Sequence, residues 1–159
     1  MPTKSIGTRD YFAEMYVAGI LADNGWNVYF PRRDQGFDFI ITKPEGSRIL
    51  VRPVQVKGKY PQSIKRDAAF YGYMGQLSQL HPDMVLAIPF FSTDHTGVAP
   101  DHIAYMPRCQ IRPQRSWGFQ YVPARYRAGK AEPRRDFTKY FDRAGMIYME
   151  SDDWHLPST

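Results

Sequence analysis

Three polar residues stand where two neighbouring apolar segments can aim them at one point. Asp38 lies in Gly36-Phe37-Asp38-Phe39-Ile40-Ile41-Thr42, and Gln55 and Lys57 lie in Pro53-Val54-Gln55-Val56-Lys57. An acid that can hold a hard cation, an amide oxygen that can add a second ligand, and a fixed positive charge suit the cleavage of a phosphodiester bond. Alternation along a strand puts Gln55 and Lys57 on one face and turns Val54 and Val56 to the other.

The stretch between the two segments, Lys43-Pro44-Glu45-Gly46-Ser47, carries the proline and glycine of a turn. A reversal about Glu45-Gly46 pairs residues whose numbers sum to about 91. Asp38 then falls opposite residue 53, with Gln55 its diagonal neighbour on the same face. Pro53 has no N–H to donate and is expected at an unpaired edge position or a bulge.

Helical periodicity runs from Asp10 to Asn24, with Gly25 as its stop. Strands are expected over 26–30, 37–42 and 49–57, a second helix from Asp67 to about Leu80, and a doubly buried strand over Met84–Phe91. His102–Met106 reads as a further strand and Arg134–Ala144 as a closing helix. This order predicts an α/β fold, a mixed β-sheet flanked by helices, in a single domain. Its core spans about 7–91, and a basic, aromatic-rich extension covers about 100–150.

With 159 residues, 43% of them hydrophobic and 15% aromatic, the chain can bury one sizeable core. The net charge of +5 favours an acidic partner such as nucleic acid. Ten Lys and Arg against three acids lie between Arg108 and Arg143, interleaved with aromatic residues. Cys109 is the only cysteine, which excludes an intramolecular disulfide framework. His81, His95, His102 and His155 make no zinc pattern, and no phosphate loop, GxGxxG or GxSxG occurs. The first residues lack a signal peptide's apolar core, and the longest apolar run is too short to cross a bilayer. The expectation is a soluble cytoplasmic protein, nucleoid-associated if prokaryotic.

Glu14 on the N-terminal helix, then Asp38, then Gln55-Val56-Lys57 resemble the PD-(D/E)XK nuclease superfamily, which includes restriction enzymes, Holliday-junction resolvases and small homing endonucleases. The resemblance covers about residues 7–91. It implies a restriction-endonuclease-like core of order α-β-β-β-α-β and a Mg²⁺-dependent DNA endonuclease, site-specific or structure-specific, in which Mn²⁺ can substitute. It implies Asp38, the Gln55 amide and the Val56 carbonyl as metal ligands. Lys57 would orient the attacking water or stabilise charge on the phosphate, and Glu14 would serve an outer-sphere or second-metal role. Most members carry Glu or Asp where this chain has Gln55, so the ligand set loses a negative charge; glutamine there resembles a variant found in some members. Arg32, Arg33, Lys59, Lys65, Arg66, Arg112 and Arg115 are the expected contacts to the DNA backbone. One site cuts one strand, so double-strand or junction cleavage calls for a homodimer or a higher symmetric homo-oligomer. The alternatives are a catalytically inactive nucleic-acid-binding protein on the same fold, or a nuclease of branched DNA or RNA.

Overall fold

Strand β3 (Arg48–Val56) is the axis of a five-stranded sheet ordered β1 (Asn27–Tyr29), β2 (Phe39–Glu45), β3, β4 (Val85–Phe90) and β5 (His102–Pro107). The computed structural model describes residues 8–33, 36–61, 80–93, 95, 97–113, 119–120 and 123–155. Pairing is antiparallel except between β3 and β4, which makes the sheet mixed and the fold α/β. Helix α1 (Thr8–Asp23) packs on one face. The helix expected over Asp67–Leu80 falls outside the described residues, apart from Leu80 itself, which is not helical.

The β2–β3 turn is tighter than its Pro-Glu-Gly signal indicates. Glu45 pairs with Arg48 across Gly46-Ser47, so partner numbers sum to 93, and the ladder ends at Phe39↔Val54. Both strands gain residues from the expected loop, and because the shift is by two, the facing of every side chain is kept. Pro53 sits at neither an edge strand nor a bulge: it pairs with Ile40 inside the β2–β3 ladder. Lys57 N–H points to β4, so by alternation the Pro53 nitrogen faces the same side, one residue before the β3–β4 ladder opens at Val54↔Val85. The missing donor falls where no acceptor is paired.

Alternation divides the core into two layers. Phe39, Ile41, Val54, Val56, Val85, Ala87, Ile103 and Tyr105 face α1, packing on Ala13, Val17 and Leu21. Leu86, Ile88, Phe90, Ala104 and Met106 face the opposite layer, closed by the C-terminal region through Ala124, Tyr126, Ala131, Tyr140 and Phe141. Each buried Val, Leu, Ile, Phe or Met among them contributes about 1.5–3 kcal/mol. The described residues after Pro100 therefore supply a strand, β5, to this sheet and side chains to this core.

The closing helix expected over Arg134–Ala144 is instead two pieces, a 3₁₀ segment Arg135–Tyr140 and α2 (Asp142–Tyr148). The break is at Asp142, which takes a left-handed backbone (φ 54°). Its carboxylate holds β5: Oδ1 accepts the Ile103 N–H at 2.9 Å and Oδ2 lies 2.8 Å from His102 Nδ1. Arg52, buried in β3, secures the other end of α2 by donating Nε and Nη2 to the Met149 carbonyl at 3.3 and 3.1 Å.

Beneath α2, Tyr105 is wholly buried and its hydroxyl has no hydrogen-bond partner. Burial raises its pKa, and the Asp142 charge adds to the rise. The fold thus favours the neutral phenol. That contribution is full below the ordinary tyrosine value of about 10 and is lost as pH climbs from there towards the raised folded value. Tyr105→Phe removes the orphan hydroxyl and is expected to melt at or above wild type at pH 7. The gap should widen at more alkaline pH. A loss above about 1 kcal/mol in urea denaturation would contradict this.

Candidate active site

One residue beyond the last β2–β3 pair, Phe39↔Val54, Asp38 lies alongside the Val54–Val56 segment that contains Gln55. Gly36, at φ +90°, turns the chain into this position with a backbone conformation that side chains disfavour. Two hydrogen bonds then fix Asp38. Its N–H donates to Val54 O at 2.9 Å, and its Oδ2 accepts the Val56 N–H at 2.6 Å. Asp38 therefore grips the residues on both sides of Gln55. A charge-assisted bond of this kind contributes about 1.5–3 kcal/mol.

Gln55 is 6% exposed, and its Oε1 is buried without a hydrogen-bond partner. Leaving such an acceptor unsatisfied costs about 1–3 kcal/mol, and folded proteins generally supply a partner. A hard cation is a suitable one for a carboxamide oxygen. The Val56 carbonyl points to the same strand edge as the Val56 N–H, which is the Asp38 side. A carboxylate, an orphan amide oxygen and a backbone carbonyl thus come from neighbouring residues at this strand end, and donors of these types suit Mg²⁺ or Mn²⁺. Among the described residues, no three His, Cys, Asp or Glu side chains gather as a metal cluster.

Past Val56 the chain keeps its register beside β4. Lys57 N–H donates to Ala87 O and Lys59 N–H to Pro89 O, both at 2.9 Å, and Lys59 bridges to Phe90. The period of two thereby places Gln55, Lys57 and Lys59 on one face. Lys57 is half-buried. The Lys59 pKa is lowered, by burial first and by the Lys57 charge second. Two ammonium groups and one carboxylate share this end of the sheet.

Glu14 is half-buried on α1, and Ala13 beside it would meet a Cβ at Gly58 at 3.4 Å. Its helix reaches the strand end just past Lys57 but packs on the Val54–Val56 face, opposite Gln55. Arg32 and Arg33 are exposed after β1, and Arg112 is exposed on β6 (Arg112–Pro113), which pairs with β7 (Phe119–Gln120). Lys65, Arg66 and Arg115 lie outside the described residues.

A count of charges alone missed the organisation of the basic C-terminal region. Arg-Tyr-Arg-Ala-Gly-Lys is a hairpin, β8 (Ala124–Arg127) with β9 (Lys130–Pro133), turning at Ala128 (φ 51°) and Gly129 (φ 74°). Alternation of Arg125, Tyr126 and Arg127 before Ala-Gly was the available signal. Tyr126 fastens this hairpin to the site strand, with its hydroxyl 2.7 Å from Phe91 O and 3.1 Å from Lys59 O.

No helix among the described residues is long and apolar enough to cross a membrane. Set against family models and curated proteins, the sequence matches none of them, so its functional reading rests on this geometry.

Proposed function

We propose that this chain is a metal-dependent endonuclease that hydrolyses DNA phosphodiester bonds, on a restriction-endonuclease-like core. The observation that carries the reading is the buried, unpartnered Gln55 Oε1 on the residue between Val54 and Val56, the two residues that fix Asp38. Asp38, Gln55 and the Val56 carbonyl would hold the cation. A bound Mg²⁺, or Mn²⁺ in its place, would neutralise phosphate charge and acidify a water. Asp38 is oriented before substrate arrives, because its backbone and side chain are both hydrogen-bonded. Lys57, on the Gln55 face, would orient the attacking water or offset the charge that builds on the phosphate. The Lys57 and Lys59 charges, the exposed Arg32 and Arg33, and the overall +5 all favour a polyanion at this end of the sheet. Cutting two strands would take a homodimer or larger symmetric assembly.

The neutral amide at Gln55 favours one competing reading, a nucleic-acid-binding protein that retains the fold without the chemistry. Purified protein incubated with supercoiled plasmid, a four-way junction, single-stranded DNA and RNA, with Mg²⁺ or Mn²⁺, separates these readings. Cleavage of DNA supports the proposal, cleavage of RNA alone reassigns the substrate, and no cleavage sinks the enzyme.

Gln55→Glu offers a test that does not depend on turnover. Without metal, a second carboxylate buried beside Asp38 is expected to cost about 1–3 kcal/mol. Mg²⁺ should restore the thermal midpoint of the variant by more than it raises that of wild type. An equal response in the two proteins would argue against a cation at Gln55.

A further inference from the structure

We infer that the β8–β9 hairpin is the element that enters a groove of duplex DNA, an assignment that rests on the nuclease reading of the neighbouring site. Its inner face is apolar and used: Ala124, Tyr126 and Ala131 are buried in the core layer, and Tyr126 packs on Phe90 with ring centroids 6.2 Å apart. Its outer face presents Arg125, Arg127 and Lys130, all exposed. Within the hairpin, Glu132 is the sole carboxylate, and it is shared by Arg125 at 3.3 Å and Arg127 at 3.7 Å.

The pairing itself points outward to an anion. Arg127 stands directly opposite Lys130 at the turn. Like charges facing each other across a strand pair destabilise a hairpin, so this choice works against local stability. Glu132 offsets one of the three positive charges on this face, and the net of two that remains is available to an anion. Four residues per strand give a ribbon about 13 Å long, and a two-stranded ribbon fits the major groove, about 12 Å wide. The Tyr126 hydroxyl, its one proton shared between Phe91 O and Lys59 O, ties the ribbon to the strand end that carries Gln55 and Lys57, so seating it in a groove would set the backbone against the site.

The test measures duplex binding across a salt series with Ca²⁺ in place of Mg²⁺, for wild type, the triple variant Arg125→Ala/Arg127→Ala/Lys130→Ala, and Glu132→Gln. The triple variant is expected to bind duplex at least about tenfold more weakly, with a salt slope shallower by about 2–3, near 0.9 for each phosphate no longer neutralised. Glu132→Gln, which frees two arginines, is expected to bind more tightly, an outcome that misfolding cannot imitate. If wild type cuts duplex and the triple variant binds with unchanged affinity and slope, the hairpin assignment fails and the nuclease reading stands. If the triple variant loses single-strand binding as much as duplex binding, the groove assignment fails. If wild type binds and cuts no DNA, the nuclease reading itself has failed.

Discussion

Lys57→Ala is expected to slow DNA cleavage by about 10²- to 10³-fold, the usual consequence of removing one group that stabilises charge in a transition state. The loss should fall on kcat, with KM for DNA changed little, because the surrounding cations still attract the backbone. Lys57 is half-buried at the end of a strand whose partners are backbone groups, so stability should stay within about 0.5 kcal/mol of wild type. Lys57→Arg should recover part of the rate, since it keeps the charge and changes its shape.

The same substitution has a second readout. Lys57 is one of two causes that lower the Lys59 pKa. A lysine whose folded pKa lies below its unfolded value binds fewer protons folded than unfolded. Its contribution therefore makes stability rise with pH, from the lowered folded value up to about 10.4. Removing the Lys57 charge should flatten that rise. A cleavage rate equal to wild type in Lys57→Ala would remove Lys57 from the chemistry.

Gly145→Ala is expected to destabilise the protein by about 3 kcal/mol or more. Gly145 is in α2, where a Cβ would stand 2.6 Å from the Tyr140 carbonyl carbon and 2.8 Å from Tyr105 Cδ2. The first obstacle is backbone and cannot rotate away. The second is a ring held at the centre of the α1 layer. Relief requires lifting α2, which would strain the Asp142 bonds to β5 and the Arg52 bonds to Met149. Urea denaturation of the variant reads the effect directly. An unfolding free energy within about 1 kcal/mol of wild type would show that α2 can slide on β5.

How far the fold was legible depended on where its information lay. The strands carrying Asp38, Gln55 and Lys57 announce themselves by apolar runs around a Pro-Gly turn, and their parity survived a two-residue error in the turn because facing repeats every two residues. Helix α1 was legible from its apolar stripe to within two residues at its start and one at its end. The break in the C-terminal helix was not. Asp142 adopts a left-handed backbone because it bonds to His102 and Ile103, some forty residues earlier in the chain, and no local pattern encodes such a contact. Burial of Lys59 was hidden for a similar reason: its surroundings come from Phe90 and from Tyr126 of the distant hairpin.

At the candidate site, residue types and alternation were readable, whereas the hydrogen bonds that hold Asp38 were not. Gln55 is the residue whose meaning the fold changed most. In the sequence it is an amide where the nuclease resemblance expects a charge; in the structure it is a buried oxygen without a hydrogen-bond partner, between the two residues that hold Asp38.

The central claim is that Asp38 and Gln55 hold a divalent cation. Calorimetric titration of Mn²⁺ into wild type and into Asp38→Asn, which keeps an acceptor for the Val56 N–H, tests it most directly. The account predicts a saturable site in wild type that is lost or at least about tenfold weaker in the variant. No binding to wild type, or equal binding to both proteins, would contradict it.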